Sequence, residues 1–124
     1  MVKALIGLGL AATALIASVA VAAPAGDPVR GKALYARCSI CHAVAPGAKS
    51  IGPNLAGITK RKSASVKGFA YSPALTRLNV TWNSSNLDKF IASPQKLAPG
   101  SKMAFTGMAD PAQRADLIAY LETL

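Results

Sequence analysis

The chain has few of the residues from which metal and enzyme sites are usually built. Its 124 residues include only two cysteines, one histidine and five acidic residues. A structural zinc site needs four ligands, which two cysteines and one histidine do not supply. The length fits one domain, so a multidomain enzyme is excluded. Aromatic residues are also scarce, with seven in the whole chain.

Long hydrophobic runs are absent except at the N-terminus, where 16 of the 20 residues from Ala4 to Ala23 are apolar. Lys3 precedes this run and the small residues Ala20-Val21-Ala22 end it, as in a secretory signal peptide. We expect residues 1–23 to be cleaved and residues 24–124 to form one exported, periplasmic domain. An uncleaved anchor is the alternative, because about 20 apolar residues can span a bilayer.

Helix signals occur at four places, and no series of strands is indicated. Asp27-Pro28 and Asp110-Pro111 each combine an N-cap acceptor with a proline suited to the first helical position. A third helix is expected after the cap candidates Ser84-Ser85-Asn86 and before Pro94, and Ser72-Pro73 predicts a short turn. The apolar residues assigned to these helices are Leu34, Tyr35, Leu87, Phe90, Ile91, Leu117, Tyr120, Leu121 and Leu124. The predicted fold is therefore all-α.

Two long stretches, residues 45–71 and 93–109, show no periodicity. Loops longer than about 12–15 residues are uncommon in a compact domain unless they have a function. Short helices and seven aromatic residues also make a thin hydrophobic core. A large apolar cofactor enclosed by the loops would account for both features.

Both cysteines and the histidine lie in Cys38-Ser39-Ile40-Cys41-His42, the C-x-x-C-H pattern of c-type haem attachment. On a helical turn, the i, i+3 and i, i+4 spacings bring the two thiols and the imidazole to one face. Three other interpretations are weaker. A thioredoxin-like motif lacks its βαβ context, a zinc site lacks ligands, and a plain disulfide leaves the histidine incidental. The motif predicts one covalent haem c with its iron held by His42.

The sixth ligand of the iron cannot be a second histidine, so methionine is the natural alternative. Two methionines remain beyond the leader, Met103 and Met108. Met103 follows Pro99-Gly100 in a loop that can direct a side chain inward. Met108 lies just before the last helix, where core packing is the better interpretation. We therefore expect Met103 to bind the iron.

Further motifs extend over the whole domain. They are Gly26-Asp27 to Gly31, Tyr35, Gly52-Pro53-Asn54-Leu55, Gly68-Phe69-Ala70-Tyr71, Trp82, Pro99-Gly100-Ser101-Lys102-Met103-Ala104-Phe105 and Arg114 to Leu121. With the haem motif, they resemble the class I c-type cytochromes, close to mitochondrial cytochrome c and the bacterial periplasmic cytochrome c2 group. The resemblance implies the small cytochrome c fold, in which three to five short helices and long loops surround one haem.

The resemblance also implies specific roles for side chains. His42 and Met103 would be the axial ligands, and the Pro53 carbonyl would accept from the second ring nitrogen of His42, as ligating imidazoles usually require. Gly31 would pack against Tyr120 where the terminal helices cross. The side chains implied to surround the haem propionates are those of Tyr71, Trp82, Arg61 and Ser101. Buried propionates need such donors, because an unpaired buried carboxylate is costly.

Two positions depart from the mitochondrial pattern. Phe90 stands where that family usually has a tyrosine, and Leu75 stands where a polar asparagine is common. Both changes make the methionine side of the haem drier.

The ligand set leads to the expected function. An iron bound by both His42 and Met103 has no open position, which disfavours oxygen and peroxide chemistry. We therefore expect a mobile one-electron carrier of a respiratory or related chain that is not itself an enzyme. One alternative is a haem enzyme or sensor with a labile sixth ligand, such as a peroxidase-like protein. Another is a non-haem thiol oxidoreductase.

The charge of the chain predicts its partners. The formal net charge is +9, and only Lys3 of the charged residues lies in the leader. No nucleic-acid-binding motif is present, and only transient membrane contact is expected unless the leader is retained. We expect a monomer that docks to acidic redox proteins, such as quinol–cytochrome c reductase and a terminal oxidase or peroxidase. The basic residues expected to form a rim around the haem edge are Arg37, Lys49, Lys67, Lys96 and Lys102. Arg114, on the last helix, is expected to contribute less.

Overall fold

A computed structural model describes residues 13–19 and 25–124, and its regular elements are helices. They are α1 (Pro28–Leu34), α2 (Ala36–Ser39), a 3₁₀ turn (Ile58–Lys60), α3 (Pro73–Leu78), α4 (Ser84–Ala92), α5 (Pro94–Leu97) and α6 (Pro111–Leu121). The described residues form no strand, although one isolated antiparallel bridge joins Lys62 and Thr81. The all-α prediction is confirmed.

The predicted helix starts depend on side-chain caps. The Asp27 carboxylate accepts from the Val29 amide at 2.8 Å, and the Asp110 carboxylate accepts from the Ala112 amide at 2.8 Å. Each cap satisfies an amide that has no partner inside its helix. Ser72 caps α3 in the same way, so the proposed short turn is a helix of six residues.

Two details of the sequence prediction are wrong. The cap of α4 is Asn83, whose side-chain oxygen accepts from the Asn86 amide at 2.9 Å, so Ser84 is already helical. The stretches 45–71 and 93–109 are also not wholly irregular, because they contain the 3₁₀ turn and α5. Pro94 does not simply end α4, since it begins α5.

Helices α1 and α6 cross at Gly31, which is buried. A Cβ atom on Gly31 would lie 1.9 Å from the Asp116 carbonyl oxygen and 2.8 Å from the Tyr120 Cβ, so only glycine fits. Beside this contact, Asp116 accepts from the Arg30 Nε at 2.7 Å and from the Asp27 amide at 2.7 Å. The predicted contact of Gly31 with the Tyr120 region is confirmed.

The hydrophobic core lies between these terminal helices, α4 and the loops. Its buried members are Tyr35, Ile58, Trp82, Leu87, Ile91, Met108, Leu117, Ile118 and Leu121. Leu117 is 1% exposed and Met108 is 3% exposed. The inward faces predicted for the helices therefore agree with the structure.

Most of the expected leader, residues 1–23, lies outside the described residues. Residues 13–19 are exposed and have no regular secondary structure. Within the described ranges, no helix is long and apolar enough to cross a membrane. The cleavage prediction is untested by these observations.

Candidate cofactor site

All nine residues predicted for the site line one cavity of about 520 Å³. They are Cys38, Cys41, His42, Pro53, Arg61, Tyr71, Trp82, Ser101 and Met103. They come from positions as much as 65 residues apart, so the fold and not local sequence brings them together. The volume lies within the range of about 300–1,000 Å³ that is typical of small-molecule and cofactor sites.

The two thiols and the imidazole are arranged by a single helical turn after α2. The amides of Cys41 and His42 both donate to the Cys38 carbonyl, at 3.0 and 2.9 Å. Both cysteines are free thiols. Burial raises the pKa of the Cys38 thiol, so this side chain stays neutral near pH 7. The turn thus presents two free thiols and the imidazole together at the cavity.

The orientation of the His42 ring is set by a hydrogen bond from its Nδ1 atom. Nδ1 lies 2.7 Å from the Pro53 carbonyl oxygen, which can only accept, so Nδ1 carries the proton. Nε2 is then the basic nitrogen, available to a metal. Gly52 allows this approach, because a Cβ there would lie 2.6 Å from the His42 Cε1.

The backbone of His42 is also fixed, in a way that sequence reasoning missed. The Tyr35 hydroxyl donates to the His42 carbonyl at 2.6 Å, across seven residues. Burial raises the pKa of Tyr35 to about 12, so the hydroxyl remains protonated and able to donate. No sequence pattern indicates this bond, because it depends on the turn at Tyr35 that separates α1 from α2.

The two methionines occupy different environments. Met103 is half-buried and lines the cavity, whereas Met108 does not line it and is 3% exposed within the core. The Met108 amide also donates to the Ile91 carbonyl at 2.9 Å, which attaches this residue to α4. Met103 is therefore the methionine whose side chain has access to a bound group.

The side chains of Lys102 and Gln95 attach the segment that carries Met103 to neighbouring parts of the fold. The Lys102 ammonium donates to the Ala70 carbonyl at 3.1 Å, which joins two loops that both contribute to the cavity wall. The side-chain oxygen of Gln95 accepts from the Gly100 backbone amide at 3.0 Å, and its side-chain nitrogen donates to the Ser101 carbonyl at 2.9 Å. Neither attachment was foreseen from the sequence.

Arg61 supplies the test of whether a carboxylate-bearing cofactor fits. Its Nη2 donates to the Asn54 carbonyl at 2.6 Å, but its Nε is buried with no hydrogen-bond partner among the described residues. Burial lowers the pKa of Arg61 from its usual value. None of the residues that line the cavity is acidic, so no carboxylate of the cavity wall offsets this buried cation. A haem propionate would supply that anion, so the donor set fits haem.

Tyr71 completes this polar end of the cavity. Its hydroxyl oxygen accepts from the Val66 amide at 3.1 Å, which leaves the hydroxyl proton free to donate. Trp82 is 6% exposed and packs against Phe90, with ring centroids 5.1 Å apart and an interplanar angle of 52°. Phe90 and Leu75, the two departures from the mitochondrial pattern, both line the cavity. The rest of the wall is mainly apolar, as a macrocycle requires.

The acidic residues of the domain lie away from the cavity. None of the residues that line the cavity is acidic, whereas Arg61, Lys62 and Lys102 are among them. The five acidic residues of the chain are Asp27, Asp88, Asp110, Asp116 and Glu122. All five lie on or beside α1, α4 and α6. The potential around the cavity mouth is therefore positive.

Comparison with known proteins agrees with this architecture. The family model described as cytochrome c matches residues 28–124. The chain is 46% identical over 103 residues to cytochrome c2 of Rhodopila globiformis, covering 82% of this chain and 97% of that protein. It is 46% identical over 102 residues to cytochrome c of Chlamydomonas reinhardtii, covering 81% and 91%. The structure of cytochrome cH from Methylobacterium extorquens superposes with a TM-score of 0.75 at 37% identity, covering 80% of this chain and all of that one.

The fold and the site thus define a small class I c-type cytochrome. The chain belongs to the cytochrome c family. It is an electron carrier with one covalent haem c whose iron has histidine and methionine ligands, and it interacts with redox partners.

Proposed function

We propose that the Cys38 and Cys41 thiols add across the two vinyl groups of haem, so that each S–H bond and each vinyl π bond is replaced by one C–S and one C–H bond. In the same assignment, His42 Nε2 and the Met103 sulfur would bind the iron. The observation that carries this assignment is the shared cavity, which unites the two thiols, the oriented imidazole, the Met103 side chain and the unpaired Arg61 Nε. Bound haem supplies a one-electron couple at its iron. A thioether ligand favours the ferrous state and raises the reduction potential.

The residues of the cavity wall have three tasks in this assignment. Pro53 fixes the tautomer of His42 through the 2.7 Å contact. Arg61 and Tyr71, with Trp82 and Ser101, provide donors for the propionates. Leu75 and Phe90 keep water from the methionine side. With His42 and Met103 both bound to the iron, no ligand position would be open to a substrate, so the domain would act as an outer-sphere electron carrier and not as an enzyme.

The positive cavity mouth supports acidic redox proteins as partners. Arg37, Lys49, Lys67, Lys96 and Lys102 are all exposed, as the expected basic rim requires. The proposed donor is quinol–cytochrome c reductase, and the proposed acceptor is a terminal oxidase or peroxidase. The proposed location is the periplasm, with residues 1–23 as a cleaved leader and the domain as a monomer.

One set of spectra tests this function. We expect the purified exported protein to give a pyridine haemochrome spectrum of haem c, with haem that resists acid–acetone extraction. The haem should also cycle reversibly between ferric and ferrous states without consuming peroxide. Extractable haem would overturn the thioether assignment. Rapid turnover of peroxide would favour the peroxidase-like alternative.

A further inference from the structure

We propose that Gln95 is a positioning residue that holds the Met103 segment in its iron-binding conformation. This inference rests on the proposed role of Met103 as a ligand. Gln95 is the second residue of α5, and its side chain reaches forward along the chain to two backbone groups that precede Met103.

Both the oxygen and the nitrogen of the Gln95 side-chain amide form hydrogen bonds. Its oxygen accepts from the Gly100 amide at 3.0 Å and its nitrogen donates to the Ser101 carbonyl at 2.9 Å. These two bonds span the point at which the chain turns, since Gly100 has a φ of +82°. One side chain therefore holds both the turn at Gly100 and the residue that follows it, two positions before Met103.

The helix from which Gln95 projects is firmly anchored. Pro94 and Ala98, at its two ends, are both buried, and the Ala98 amide donates to the Pro94 carbonyl at 2.9 Å. By contrast, the segment after Ala98 has weaker attachments of its own. The Ser101 amide donates to the Ala98 carbonyl at 3.0 Å, and the Met103 amide reaches the Ser101 hydroxyl only at 3.4 Å. Lys102 also attaches this segment, through the Ala70 carbonyl at 3.1 Å. Gln95 is the side chain that connects the segment to the fixed helix.

Loss of this connection should increase the fraction of molecules in which Met103 has left the iron. An external ligand binds only those molecules, so its apparent affinity rises in proportion to that fraction. Two neutral hydrogen bonds are involved, and their loss corresponds to roughly a tenfold change in such an equilibrium.

The test is a titration of the ferric holoprotein with imidazole, followed by the loss of the weak far-red band of the methionine–iron bond. Gln95→Met keeps the length of the side chain but removes both hydrogen bonds. Gln113→Met is the matched control, because Gln113 is also exposed, lies on α6 and does not line the cavity. We expect imidazole to bind Gln95→Met roughly tenfold more tightly than the wild type, and Gln113→Met to be unchanged.

Met103→Leu separates the inference from the function on which it depends. If Met103→Leu lacks the band and binds imidazole freely while Gln95→Met matches the wild type, the role of Gln95 is overturned and the ligand assignment stands. If Met103→Leu keeps the band, both are overturned. A lower urea midpoint for Gln95→Met with unchanged imidazole affinity would also overturn the proposal, since it would show a purely structural role.

Discussion

The Nδ1 atom of His42 lies 2.7 Å from the carbonyl oxygen of Pro53, eleven residues later in the chain. The Gly52 amide also donates to the Cys41 carbonyl at 2.7 Å, so the loop returns to the haem motif at two adjacent points. This return orients the imidazole before any metal is bound, and it links haem attachment to the packing of the loop.

Substitution of Gly52 by alanine tests this link. The new Cβ would lie 2.6 Å from the His42 Cε1 and 2.8 Å from its Nδ1, so the ring must move away from Pro53. We expect Gly52→Ala to lower the free energy of unfolding by about 1–3 kcal/mol. It should also raise the reduction potential, because an imidazole without its Nδ1–H···O bond is a weaker donor to ferric iron. Urea unfolding and a redox titration measure the two effects. An unchanged potential would contradict the proposed role of the Pro53 contact.

Gly31 offers a second test, on the crossing of the terminal helices. A Cβ at this position would lie 1.9 Å from the Asp116 carbonyl oxygen, so Gly31→Ala should cost about 3 kcal/mol or more. Gly47→Ala is the comparison, since nothing lies within 4 Å there but φ is +75°. That change should cost only about 1 kcal/mol. Equal urea midpoints for the two variants would contradict the close approach of α1 and α6.

The pH dependence of stability should report the Asp116 contacts. Hydrogen bonds from Arg30 and from the Asp27 amide hold the pKa of Asp116 below its usual value. Because the folded-state pKa is the lower one, the stabilisation is complete above the unfolded-state pKa of about 3.9 and is lost as pH falls through the folded value. Asp116→Asn should therefore be less stable than the wild type at pH 7, and the difference should narrow below about pH 4. Thermal unfolding across this range measures the difference. A gap that is constant with pH would contradict this interpretation.

Lys96 tests the basic rim. It is exposed, so Lys96→Glu should slow reduction by quinol–cytochrome c reductase several-fold at low ionic strength, because rim charges mainly affect association rates. The potential should stay nearly unchanged, and the difference should disappear at high salt. Lys102 is a poorer probe, because its ammonium also holds the Ala70 carbonyl.

The control for this experiment is Lys32→Glu, since Lys32 is exposed on α1 and does not line the cavity. Arg114, expected from the sequence to be a suitable control, is unsuitable. Its side chain is 13% exposed, it pairs with Asp88 at 2.7 Å and it donates to the Met108 carbonyl at 2.9 Å. Equal slowing by Lys32→Glu and Lys96→Glu would show that the positive charge does not guide docking at the cavity mouth.

The sequence predicted the features that have a local cause. Asp27 and Asp110 identify their helices because a cap and a following proline act within a few residues. The spacing of the haem motif likewise depends on a single turn. The resemblance to class I c-type cytochromes supplied Pro53, Tyr71 and Arg61, which no local pattern would have brought together.

The features that the sequence did not predict depend on contacts that form only in the folded chain, or on which of several neighbouring polar residues takes the cap position of a helix. Three polar residues at the start of α4 were plausible caps, and Asn83, one residue earlier, takes that position. The surroundings of Arg114 were not predicted, because they depend on the turn before α6, which places two carbonyls around its guanidinium. The amide of Gln95 meets its partners only because α5 forms within a stretch without periodicity.

The most direct test of the central claim is the far-red methionine–iron band of the ferric protein, compared between Met103→Ala and Met108→Leu. Met103 lines the cavity, whereas Met108 is buried in the core, where leucine is nearly isosteric and should cost less than about 1.5 kcal/mol. The account predicts that Met103→Ala loses the band and that Met108→Leu retains it. Loss of the band in Met108→Leu with its retention in Met103→Ala would contradict the assignment of the iron ligand.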